Sequence, residues 1–100
     1  MSVKSYQLAG RKWKVVCGDK ETIRKRRKIP KGVCGFCDPR TATIYIIDDP
    51  KNPDFTDITM WHEFVHSMFY TMGWHGDKEH DEVLVDALAH LLHQFEQTRK

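Results

Sequence analysis

The sequence predicts an α+β domain in which a small, mostly antiparallel sheet packs on two C-terminal helices. Three observations predict it. The segment 42–47 is rich in β-branched and aromatic residues and alternates in character, as a strand does. The stretch after residue 55 carries apolar residues at helical spacing, and so does the last quarter of the chain. One hundred residues, 40% of them hydrophobic and 30% charged, suit a single folded domain spanning 1–100. No apolar run approaches the ~18 residues that span a membrane. Residues 1–5 lack the apolar core of a secretory signal, so the chain is expected in the cytoplasm of the cell that makes it. Three cysteines, an odd number in a chain without such a signal, argue against a disulfide framework.

In order, residues 6–17 read as a half-buried strand, with Trp13, Val15 and Cys17 on one face and Lys12 and Lys14 on the other. Gly18-Asp19 ends it. The run Arg24-Lys25-Arg26-Arg27-Lys28 reads as a short helix or a solvated loop. The segments 33–37 and 42–47 form an expected antiparallel hairpin joined by about four residues, with Ala42, Ile44 and Ile46 facing the core. Residues 48–54, with Pro50 and Pro53, read as a loop. Thr56 is the expected N-cap of a helix running to Met72, with Asp57 in its first turn and Gly73 at its C′ position. Ile58, Trp61, Phe64, Val65, Met68, Phe69 and Met72 give it a wide apolar face. A second helix is expected from Lys78 to about Gln97, capped by Asp77, its inward face made by Val83, Leu84, Ala87, Leu88, Leu91, Leu92 and Phe95.

The first helix carries His62-Glu63-Phe64-Val65-His66, the H-E-x-x-H pattern of zinc metallopeptidases. Residues four apart share a helix face, so His62 and His66 can present ring nitrogens to one Zn²⁺. Glu63 beside them can take a proton from an activated water without being a ligand. A catalytic zinc typically has three protein ligands. On the second helix Glu82 and Asp86 are four apart and can both face the first. Glu82 is the expected third ligand, and Asp86 the acceptor for the outer nitrogen of a ligand histidine.

His62-Glu63-Phe64-Val65-His66 followed by Glu82-Val83-Leu84-Val85-Asp86 resembles the gluzincin arrangement of thermolysin-like peptidases. The run from Ile44 through the first helix to Leu92 resembles the minimal metallopeptidase-like proteins of phages and prophages. The resemblance covers roughly residues 32–97 and implies a minimal zincin core, a zinc cofactor, and Glu63 as general base in hydrolysis of a protein or peptide. SprT-like peptidases share the motif and take a later histidine as ligand, which keeps His80, and less so His75, open as alternative third ligands. Either could instead stabilise an oxyanion. In zincin folds the strand beside the cleft pairs with extended substrate, which implies that role for the edge strand of Ile44, Tyr45 and Ile46.

Cys34-Gly35-Phe36-Cys37 lacks the further spaced ligands of a structural zinc site; it reads as two cysteines of a hairpin, one pointing into the core. The basic segment 24–28 has little aromatic interleaving. Nucleic-acid binding through phosphates, as in a DNA-associated peptidase, is a less favoured expectation than a solvated surface. Trp61, Phe64, Phe69 and Trp74 read as core or cleft wall. An alternative to catalysis is a metal-stabilised binding or regulatory module.

Overall fold

The computed structural model describes residues 3–73 and 80–100. Its elements are β1 (Ser5–Leu8), β2 (Arg11–Gly18), α1 (Lys20–Arg26), β3 (Gly35–Asp38), β4 (Thr43–Ile47), α2 (Pro53–Thr71) and α3 (Glu82–Thr98). One mixed sheet has the order β1-β2-β4-β3. Its two outer pairings are antiparallel, and the central one, β2 with β4, is parallel, with Val15 opposite Ile44. α2 packs on β3 and β4, and α3 packs on α2. The fold is α+β, as expected.

The single strand expected over residues 6–17 is a hairpin. Ala9 and Gly10 both take positive φ, 49° and 81°, the conformation that a two-residue connection needs to match the strands' twist. Gly10 adopts it freely; Ala9 does so against its Cβ. Trp13 points inward and is buried, whereas Cys17 near the strand's end is exposed. Asp19 then caps α1, accepting from the Thr22 amide at 2.7 Å, so the basic run closes a short helix.

The 33–47 hairpin forms, with residues 39–42 as its connection. Ala42, Ile44 and Ile46 join Trp13, Cys37 and Met60 in the main core. The role assigned to Ile44, Tyr45 and Ile46 at a sheet edge is corrected. β4 lies between β2 and β3, so its backbone groups are taken on both sides. The edge beside the helices is β3. There the bond from the Ile47 amide to the Cys34 carbonyl sets the alternation of the ladder, which turns the backbone groups of Gly35 and Cys37 outward. Side chains alternate too. Cys37 enters the core under α2, and Phe36 faces the opposite side of the sheet, where the Arg27 guanidinium stacks 4.5 Å from its ring centre. The basic segment thus reaches the face away from α2.

The cap of α2 lies four residues before the expected one. Asn52 is its N-cap, accepting from the Phe55 amide, and Pro53 occupies the first turn, where its missing N–H costs nothing. Thr56 is an interior helical residue instead. It is buried, and its hydroxyl accepts from the Asp49 amide at 2.9 Å, tying down the β4–α2 loop. The other end is as expected: Met72 is the C-cap and Gly73 has φ 92°. Met72 itself is exposed.

α3 starts at Glu82, capped by Asp81, whose carboxylate accepts from the amides of Val83 and Leu84. The Asp77 cap, Lys78 and Trp74 lie outside the described residues. The helical period of α3 holds, but its inward face is rotated from the expected one. Val85 and Ala89 are buried and Leu88 and Leu92 half-buried, while Val83, Leu84, Ala87, Leu91 and Phe95 are exposed. Val85 packs with Val65 and Phe69 in a second small core between the helices. A single helix partner covers only a narrow stripe of α3. Among the described residues, no helix is long and apolar enough to cross a membrane.

Candidate metal centre

His62, Glu63 and His66 sit in the middle of α2, which the core side chains Met60, Val65 and Phe69 hold against the sheet and α3. A tyrosine also anchors the helix from outside. The Tyr6 hydroxyl donates to Ser67 Oγ at 2.8 Å, and Ser67 donates to the Phe64 carbonyl at 2.6 Å. The register of the motif against the sheet is therefore fixed on both sides of the second histidine.

α3 brings Glu82 to the two histidines. His62 Nε2 lies 3.0 Å from Glu82 Oε2, and His66 Nε2 lies 3.1 Å from Oε1. One nitrogen or oxygen from each of His62, His66 and Glu82 lies within 4.8 Å of the other two. Two imidazoles and one carboxylate form a donor set suited to zinc. The outer nitrogens have neighbours as well. His62 Nδ1 faces Asp86 Oδ1 at 3.6 Å, and His66 Nδ1 meets His80 Nδ1 at 2.6 Å. Of the candidate third ligands, Glu82 faces both Nε2 atoms, and His80 stands behind His66. His75 lies outside the described residues. Asp86 lies on the outer side of His62, one helical turn on from Glu82, at a distance longer than the hydrogen bond expected of it.

Burial acts on two groups of the site, His66 and Glu63. It drives His66 down to about 4, with Glu82 opposing and His62 and His80 adding to the shift, so the ring is neutral and one of its nitrogens keeps a lone pair free for an ion. Glu63 is 7% exposed. Burial pushes its carboxyl up to about 8, and the negative charge of Glu82 adds to that. A cation held by the neighbouring donors would favour the carboxylate again.

The position that makes room for Glu63 is Gly35 on the β3 edge. A Cβ built there would lie 2.9 Å from Thr59 Cγ2 and 3.0 Å from both Cγ and Oε2 of Glu63. The glycine is plain in the sequence, but its task is not, because nothing there shows which helix side chain faces a given strand residue. Tyr70 is a further residue of the site, absent from the sequence-based set; it lines the cleft with His62, Glu63, His66 and Glu82. Its signal was present, because Tyr70 continues the four-residue row of His62 and His66.

The cleft extends to both sides of Glu63. One cavity, of about 230 Å³, is lined by Val33, Cys34, Phe55, Ile58, Thr59 and Asp86 among others; the second, of about 360 Å³, reaches Phe36, Cys37 and Tyr70. Burial, then the charge of Glu63, pushes the Cys37 thiol far up, so it stays protonated and is no ready metal ligand. Cys34 is half-buried. Comparison with protein-family models, curated proteins and solved structures returns no match.

Proposed function

We propose that this chain is a zinc-dependent peptidase of minimal zincin type, acting on protein or peptide substrates in the cytoplasm. The observation that carries the reading is the convergence of His62, His66 and Glu82 beside a carboxylate that is not one of the donors. A purely structural site has no need of that fourth group. His62, His66 and Glu82 would hold the ion, with Asp86 and His80 orienting the two rings from their outer nitrogens. Zinc, when bound, supplies a Lewis acid that polarises a carbonyl and acidifies water.

The remaining tasks belong to the chain. Glu63, set between the donors and the β3 edge, takes the proton of the attacking water and delivers it to the leaving amine. Burial, which disfavours its charge, and the cation, which favours it, oppose each other there, and that balance suits a group that must both take and give a proton. The outward backbone groups of Gly35 and Cys37 offer an extended substrate a strand to pair with, laying its scissile bond along the cleft. The cavities on either side of Glu63 would take side chains flanking that bond.

The test is Glu63→Gln, an isosteric change that keeps the donors. Zinc content is measured by elemental analysis, and cleavage with an unfolded protein and a mixed quenched-fluorescent peptide library. The variant is expected to keep its zinc and lose at least ~10²-fold in rate. Equal behaviour of wild type and variant on every substrate would remove the peptidase reading and leave a metal-stabilised binding module.

A further inference from the structure

α2 and α3 meet again at the opposite end of their shared length, and a second group of donors lies there. Asp54 and Asp57, three residues apart in the first turns of α2, share one helix face. His93, on the C-terminal half of α3, faces them. One oxygen from each carboxylate and one nitrogen of the imidazole lie within 4.8 Å of one another. An independent observation concerns the same imidazole. His93 Nε2 is enclosed and has no hydrogen-bond partner among the described residues. A buried ring nitrogen in a folded protein is ordinarily satisfied by protein, water or an ion. Asp57 and His93 also line a cavity of about 300 Å³ with Trp61 and a further carboxylate, Glu96.

We propose that Asp54, Asp57 and His93 form a second divalent-cation site, separate from the one at His62, His66 and Glu82. Two carboxylates and an imidazole are a mixed oxygen–nitrogen set that suits zinc or manganese and disfavours the soft ions that seek thiolates. The ligands come from both helices, so the ion bridges the start of α2 and the end of α3. Among the described residues no general base comparable to Glu63 stands beside it: Glu96, the remaining carboxylate of the cavity, is paired with Arg99 at 2.9 Å. The site's task is therefore structural. It clamps one end of the helix pair, while the first site clamps the other. The proposal does not depend on peptidase activity.

The test counts ions. The full chain is stripped with a chelator, reloaded with Zn²⁺ or Mn²⁺, desalted and analysed for metal per chain, with thermal melting alongside. Wild type should hold two ions, and His93→Ala or Asp54→Asn one. A His62→Ala/His66→Ala double variant should also hold one, lost on adding His93→Ala. His93→Gln is a second variant that keeps most of the side-chain volume. Its retained ion at the first site reports that the chain has folded. The melting temperature of His93→Gln should rise less on metal loading than that of wild type. One ion in wild type with none in the His62/His66 variant would overturn the proposal, and so would two ions persisting in both His93 variants.

Discussion

Replacing Gly35 by alanine places a methyl group where the β3 edge meets α2. The new Cβ would lie 2.9 Å from Thr59 Cγ2 and 3.0 Å from Glu63 Cγ and Oε2. Thr59 cannot rotate away without loss, because its hydroxyl donates to the Phe55 carbonyl at 2.9 Å and the residue is buried. Either β3 moves off the helix or the Glu63 side chain is displaced. Overpacking of this kind costs about 1–3 kcal/mol. In a domain of this size that lowers the melting temperature by roughly 5–20 °C. On the proposed peptidase reading the displaced carboxylate should also lower cleavage by more than it lowers zinc content, since the atoms nearest the new Cβ belong to Thr59 and Glu63 and not to His62, His66 or Glu82. Thermal melting, metal analysis and peptide hydrolysis measure the three effects. Thr59→Ser removes the closest methyl and keeps the hydroxyl. In the double variant Gly35→Ala/Thr59→Ser, part of the stability should return, with a coupling of about 0.5–3 kcal/mol. An unchanged melting temperature in Gly35→Ala, or strictly additive effects in the double variant, would refute the close approach of β3 to α2 at this position.

Three further predictions concern the same scaffold. Glu82→Ala removes a donor and should abolish tight zinc binding at His62 and His66, whereas His80→Ala should weaken it only about 10–100-fold; chelator competition separates the two, and the reverse order would make His80 the ligand. Asp81→Ala deletes the cap of α3 and should cost about 1 kcal/mol in denaturant melts, together with some zinc affinity, because Glu82 opens that helix; equal stability of variant and wild type would count against the cap. Burial pushes the Tyr6 phenol up to about 12, against about 10 in an unfolded chain. Between those values the unfolded state has released a proton that the native state keeps, so stability is full below pH ~10 and falls as pH rises toward 12. Tyr6→Phe should flatten that fall in urea melts at successive alkaline pH values, and an unaltered slope would exclude Tyr6 as its source.

The features legible in the sequence were those that depend on local period. The hairpin of 33–47, the helix carrying the motif, the stop at Gly73 and the pairing of Glu82 with Asp86 all come from spacing along one element. The features that were not legible depend on how elements meet. The parallel seam between β2 and β4 joins segments far apart in sequence, so β4 became an interior strand although its own composition suited an edge equally well. The inward face of α3 was misplaced because apolar residues, Val85 and Ala89 as well as the seven expected, cover more than one stripe of the helix, and only packing on α2 selects the one around Val85 and Ala89. The cap at Thr56 failed because Asn52-Pro53 competes for the same task and wins with a better first turn. Gly35 was visible as a residue and invisible as a contact.

The attachment of α3 to α2 also has a bearing on how such a centre can be altered. The sheet and α2 together hold both histidines, Glu63 and the glycine that accommodates it, and α3 adds Glu82 and Asp86 from outside. The donor set is thus divided between a scaffold and an interchangeable part. Because Asp81 fixes the start of α3 through backbone amides, Glu82→His would turn two imidazoles and a carboxylate into three imidazoles, and it would also remove the negative charge that helps hold the Glu63 carboxyl up. The donor set can in that sense be altered from one side, because the carboxylate comes from one helix while His62, Glu63 and His66 stay in place on the other.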